Sequence, residues 1–168
     1  MTKQLNILAL TVAAAAMVSL LPATGAQAAT ASTSILVTAA VAQACIVVAT
    51  PLAFGVYDPT SASPTDGTAT VAVTCTTGTA YTVGLSAGGG TGATTTVRKM
   101  TFGANTLNYA LYQNAGRTTN WGNAVGTDTV AGTATGLLIN HTVYGRITAG
   151  QTVPMGAYAD TVAVTVTY

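Results

Sequence analysis

Catalysis needs a nucleophile, a general base or a metal cluster, and this 168-residue chain has few side chains able to supply them. His141 is the single histidine, Cys45 and Cys75 are the two cysteines, and Asp58, Asp66, Asp128 and Asp160 are the only carboxylate side chains, since there is no glutamate. His141 follows Asn140 in a strand-forming run with no marked nucleophile and no orienting carboxylate, so it reads as an ordinary strand histidine at or near the surface. Asp58, Asp66 and Asp128 fall in stretches where Asp favours turns, and Asp160 opens the last strand. Scattered carboxylates do not make the pair that glycoside hydrolysis normally uses. Two thiols without CxxC spacing and one distant imidazole do not assemble a four-ligand metal site. The glycine-dense "SAGGGTGATTT" (86–96) has no following helix and no "GK[ST]", so it reads as a hairpin connection rather than a phosphate cradle. Trp121 in "NWGN" has the chemistry to stack on a sugar, but a lone Trp more often plugs the end of a sandwich core. Tyr109 and Tyr112, three apart, face opposite ways on a strand and form no platform. The expectation is a protein that is not an enzyme and needs no cofactor and no metal.

The two cysteines acquire a role from the start of the chain. Residues 1–28 read as a cleaved signal peptide: a short start with Lys3 as its only charge, an apolar run over 7–21, Pro22, and the small-x-small "AQA" at 26–28. The apolar run is short for a bilayer span, so no stable membrane insertion is expected after its removal. An exported chain with an even number of thiols is most simply one disulfide, Cys45–Cys75. Closing a loop of about 30 residues contributes roughly 3–4 kcal/mol on the chain-entropy account. Beyond residue 28, Arg98, Lys99, Arg117 and Arg146 balance the four aspartates. No basic patch is present, which argues against nucleic acid as a partner, and so little charge favours self-association.

The elements that must position these residues are strands. Thr- and Val-rich alternation predicts strands over 32–45, 68–75, 80–87, 97–102, 107–114, 136–147 and 160–168, with turn-forming stretches at 57–67, 87–96 and 114–133. No helical periodicity appears outside the signal, and the pattern indicates an all-β sandwich. Counting back by twos from Cys45 puts Val41, Ala39, Val37 and Ile35 on one face, with Ala42, Ala40, Thr38, Leu36 and Ser34 opposite. At the other end Val162, Val164, Val166 and Tyr168 share a face. Two terminal strands can close the sandwich within one molecule, or each can pair with another molecule, as when a strand is donated to a neighbour's exposed sheet edge.

The stretches "CIVVATPLAFGVYDP" (45–59), "VAVTCTTGTAYTVGLSAG" (71–88), "RKM" (98–100), "LNYALYQN" (107–114), "WG" (121–122), "VYGRI" (143–147) and "PMGAYADTVAVTVTY" (154–168) resemble the spore coat protein U domain family. Its members include pilins of archaic chaperone–usher pili. The resemblance implies an incomplete immunoglobulin-like sandwich over 45–168 and an N-terminal donor-strand extension over 29–44 that completes the next subunit. It implies Ile35, Val37, Ala39 and Val41 as donor residues. Val162, Val164, Val166 and Tyr168 then edge the acceptor groove, and the last strand has no partner in its own chain. The implied partners are other pilin subunits, a periplasmic chaperone and an outer-membrane usher. The implied setting is a pilus at the cell surface, serving attachment and biofilm. The alternative is a secreted, self-closed sandwich that acts as a coat component or holds carbohydrate near Trp121.

Overall fold

A computed structural model describes residues 28–168. The expected signal peptide therefore lies outside the described residues except for Ala28. The chain separates into two units, Met1–Ala39 and Ala40–Tyr168. In the first, the described residues 28–39 carry no regular secondary structure and are exposed.

The second unit is all-β among its described residues, with β1 (Cys45–Ala49), β2 (Thr65–Cys75), β3 (Ala80–Leu85), β4 (Arg98–Phe102), β5 (Asn105–Tyr112), β6 (Val130–Thr133), β7 (Ile139–Ile147) and β8 (Val164–Thr167). Five strands form one sheet in the order β1-β2-β7-β5-β4, and three form the other in the order β6-β3-β8. All pairings are antiparallel. Two such sheets packed face to face are an immunoglobulin-like sandwich. Alternation puts Val71, Val73 and Cys75 of β2, Leu107, Tyr109 and Leu111 of β5, and Val143 and Ile147 of β7 on the inner face of the larger sheet. Tyr81, Val83 and Leu85 of β3 meet them from the smaller sheet.

Several expectations change. The alternating run 32–45 is not a strand; the first strand begins at Cys45 and continues into "IVVA". Alternation shows that a segment is able to present two faces, but pairing also requires a free edge beside it. β2 starts at Thr65, inside the stretch expected to be a turn. β6 lies within the expected 114–133 loop, where a four-residue strand containing Gly132 leaves little periodicity to read. The terminal strand does have a partner in its own chain. β8 pairs with β3 in the register Val83↔Val166 and Leu85↔Val164, so only its other edge is open.

The disulfide Cys45–Cys75 joins directly opposed residues of β1 and β2, with Cα atoms 4.1 Å apart. Trp121 is the plug expected of a lone Trp. It is 1% exposed, and its indole N–H donates to the Val83 carbonyl at 2.9 Å. Arg98 is fully buried, a position that composition does not announce. Its guanidinium meets four backbone carbonyls and no carboxylate: Nε donates to Ser86 O (2.8 Å), Nη1 to Thr95 O (2.6 Å), and Nη2 to Leu85 O (3.0 Å) and Trp121 O (2.7 Å). The planar fork satisfies turn carbonyls that no ladder reaches, while burial pulls the guanidinium pKa down. On the outer surface Asp66 takes a two-point ion pair from Arg146 and a longer contact from Arg117 at 3.3 Å, which ties the 114–118 turn to β2 and β7. Asp58 and Asp128 hold turns, accepting from Thr60 N at 2.8 Å and Ala124 N at 2.7 Å.

His141 sits on the inner side of β7 rather than at the surface. It is half-buried, its Nε2 is 3.0 Å from the Tyr81 hydroxyl, and its ring packs edge-on to Tyr81 and Trp121. Desolvation lowers its pKa, and no carboxylate orients it.

Replacing Arg98 by Met removes a buried charge but leaves four carbonyls without their donor, those of Leu85 and Trp121 in buried bonds and those of Ser86 and Thr95 in part-buried ones. Each is worth about 1–3 kcal/mol when left unpaired, so the second effect wins. Urea denaturation is expected to show a loss of at least about 3 kcal/mol for Arg98→Met, with Arg98→Lys intermediate because an ammonium does not span four acceptors. For His141 the folded-state pKa lies below its usual 6.5, so the unfolded chain binds the proton more readily. Unfolding free energy is therefore expected to fall as pH drops below 6.5. The neutral variant His141→Gln is expected to flatten that slope between pH 6.5 and 5, measured by thermal melts across the window.

Candidate functional site

The strands leave part of the larger sheet's inner face uncovered, and two non-strand runs border the gap. Past β1, Thr50 N still donates to the Thr70 carbonyl at 2.9 Å, and the chain then continues through 51–58 outside any strand. On this run Leu52 and Phe54 turn inward over Gly67 of β2 and Gly145 of β7, which are paired in register. A Cβ on Gly67 would stand 3.0 Å from Leu52 Cδ2, and one on Gly145 2.8 Å from Phe54 Cζ, so paired glycines are what let the run lie close to the sheet. Phe54 meets Tyr109 edge-on, with ring centroids 5.9 Å apart.

The opposite border is 153–163. It first bridges to β4, where Thr101 and Ala159 exchange backbone hydrogen bonds at 2.8 and 3.1 Å. It then crosses to the smaller sheet, where Ser86 N donates to Ala163 O at 2.9 Å and β8 follows. Asp160 fixes the crossing. It accepts the Tyr109 hydroxyl at 2.7 Å, Gly89 N at 2.7 Å and Thr161 N at 2.8 Å. Burial, then the hydrogen bond to Asp160, pushes the Tyr109 phenol well above its ordinary pKa, so it remains a neutral donor.

Between these borders runs an apolar groove. One section, of about 600 Å³, has Val71, Leu85, Leu111 and Val143 in its lining, with Thr50–Leu52 on one side and Tyr158–Val162 on the other. A second, of about 700 Å³, continues past Leu107 and Ile147 between 52–59 and 153–158. Leu52, Phe54, Met100 and Tyr158 line both sections, so the two share a waist. β1 and β8 are each the outermost strand of their sheet, and Ala49 of β1 and Val164 of β8 join the lining of the first section.

The expected site residues fall as follows. Of the four assigned to the terminal edge, Val162 and Val164 line the groove, Val166 packs on the core, and Tyr168 is exposed. Ile35, Val37 and Val41 are 83–86% exposed, and Ala39 is exposed too. The groove walls at 50–58 and 153–161 escaped sequence reasoning because they alternate poorly; the "PLAF" and "PMGAY" runs and the glycines of "TDGT" and "VYGR" are the only signals they leave. Trp121 is enclosed and offers no face to a sugar, which removes the carbohydrate role considered for it. The groove carries no array of acid, base and nucleophile: its titratable side chains are Tyr109, Tyr158 and Asp160 in the first section and Tyr57 and Tyr158 in the second. What it can do is receive apolar side chains along an extended backbone.

Comparison with known proteins bears on that arrangement. The Spore Coat Protein U domain matches residues 31–165. Protein U of Myxococcus xanthus is 37% identical over 171 aligned positions, covering 93% of each chain. The fold is similar to that of a chain in the crystal structure of the CsuC-CsuE chaperone-tip adhesion subunit pre-assembly complex from archaic chaperone-usher Csu pili of Acinetobacter baumannii. The TM-score is 0.54 and the identity 23%, over 76% of this chain and 40% of that one. This chain thus spans less than half the length of that solved chain, and that likeness concerns the fold. The match over 31–165 and the relationship to Protein U together place the chain in the Spore Coat Protein U domain family.

Proposed function

We propose that this protein is a structural pilus subunit that polymerises by donating the strand Ile35–Val41 to the groove of the next copy and receiving the same strand from the previous one. The observation that carries the reading is the groove: a sandwich with an apolar channel between two borders that join no continuous ladder lacks one strand. An inserted strand supplies both the backbone partners and the side chains. The run that fits is in the same chain, since Ile35, Val37 and Val41 alternate and are exposed to water. Burying each contributes roughly 1.5–3 kcal/mol, before the cost of ordering the strand. Val162, Val164, Val166 and Tyr168 belong to the edge the incoming strand meets. Ala39 fills least of the channel, so it adds least to the grip.

Residues 1–28 direct export, a periplasmic chaperone covers the groove until an outer-membrane usher passes the subunit on, and the product is an extracellular fibre serving attachment and biofilm. The subunit has no catalytic role. The family's description keeps one second reading open, a coat component with a sandwich closed on itself.

Val37 and Thr38 separate the two. A lysine at Val37 would point into the neighbour's groove, where an unpaired charge costs several kcal/mol and each 1.4 kcal/mol is a tenfold loss in the exchange equilibrium. Thr38 points the other way. Val37→Lys is expected to abolish heat-sensitive SDS ladders and fibres seen by electron microscopy while the chaperone-bound subunit stays soluble, and Thr38→Lys to spare both. Equal effects would sink the donor assignment, and a wild-type chain that stays monomeric would favour the closed coat reading.

A further inference from the structure

We infer that Thr76 is a positioning residue that clamps the root of the donated strand and so sets the stiffness of the joint between consecutive subunits; this rests on the donor-strand reading above. Only Ala42, Gln43 and Ala44 separate Val41, the last proposed donor residue, from Cys45. Three residues reach about 10 Å at most, so whatever holds them decides how far one subunit swings against the next. All three are exposed. Two are alanines, with little side chain to pack. They are nevertheless held.

Thr76, the residue after Cys75 at the end of β2, makes three hydrogen bonds to them. Its N–H donates to the Ala44 carbonyl at 2.9 Å, its Oγ1 accepts from the Ala44 N–H at 3.2 Å, and its hydroxyl donates to the Ala42 carbonyl at 3.3 Å. The first bond extends the β1–β2 ladder by one step. The other two come from one side chain and reach past the last strand pair. Beside them, the Cys45–Cys75 disulfide ties the same two chain segments covalently. The strand root is thus fixed by a covalent link, a ladder bond and a hydroxyl fork in succession, and the fork is the part a single substitution removes. Valine keeps the shape of threonine and the backbone bond but neither hydroxyl bond, whereas serine keeps both.

Two measurements test this. In the monomeric subunit, losing the hydroxyl fork is expected to speed hydrogen exchange at the Ala44 amide roughly five- to tenfold in Thr76→Val, with Thr76→Ser close to wild type. In fibres, Thr76→Val is expected to leave the SDS ladder intact but shorten the persistence length measured on electron micrographs, and Thr76→Ser to restore it. Unchanged Ala44 exchange in Thr76→Val would show that there is no clamp. Faster exchange with fibres as stiff as wild type would show that the clamp does not govern the joint. Wild-type protein that forms no ladders at all would overturn the subunit reading, and this inference with it, and that outcome is recognisable because it does not depend on residue 76.

Discussion

A sheet with one apolar face must bury that face, and here five strands present more of it than three strands cover. Val71, Leu111 and Val143 from the larger sheet line a channel that the smaller sheet meets through Leu85 and Val164. Adding a strand would remove the channel's apolar surface from water. Two polar anchors stand near that gap, Arg98 beside the end of β3 and Asp160 in the 153–163 border.

Those anchors show how an unfilled groove keeps its shape. Arg98 gathers the carbonyls of Leu85, Ser86, Thr95 and Trp121, so the end of β3 and the turns on either side of β4 are joined through one buried cation. Asp160 does the same for the far border, tying β5 through Tyr109 to the 86–89 turn and to the start of the terminal run. Neither residue is paired with an opposite charge. Both use directional hydrogen bonds, which resist collapse better than apolar contacts do, because apolar contacts would gain by closing the channel. Gly67 and Gly145 contribute by omission: without side chains they let Leu52 and Phe54 lie on the sheet as one wall instead of being pushed out into solvent.

The same economy runs through the surface. With few charges, the protein has little repulsion to keep copies apart, and exposed Ile35, Leu36 and Val37 would be a liability in a protein that had to remain monomeric. Under the proposed donor role that exposure is temporary. Among the described residues the one cluster of charge pairs, Asp66 with Arg146 and Arg117, is on the outer surface and steadies the 114–118 turn, a modest role for partly exposed ions.

The sequence by itself determined the all-β class, the positions of β2, β3, β4, β5, β7 and β8 to within a few residues, the Cys45–Cys75 pairing and the role of Trp121 as a core plug. Each rests on local information: a period of two, two thiols in a chain whose start reads as an export signal, one large aromatic. Only the tertiary structure decided which alternating runs are paired. Residues 32–44 alternate in part and yet lie in no strand, while "CIVVA", with no alternation, forms β1. Only the tertiary structure placed His141 inward, gave β8 a partner in β3, and put Arg98 beneath four carbonyls, because each depends on a neighbour many residues away. The groove is the extreme case. Its walls come from 50–58 and 153–163 and its lining from β1, β2, β3, β4, β5, β7 and β8, and an empty space between distant segments leaves no period in any one of them.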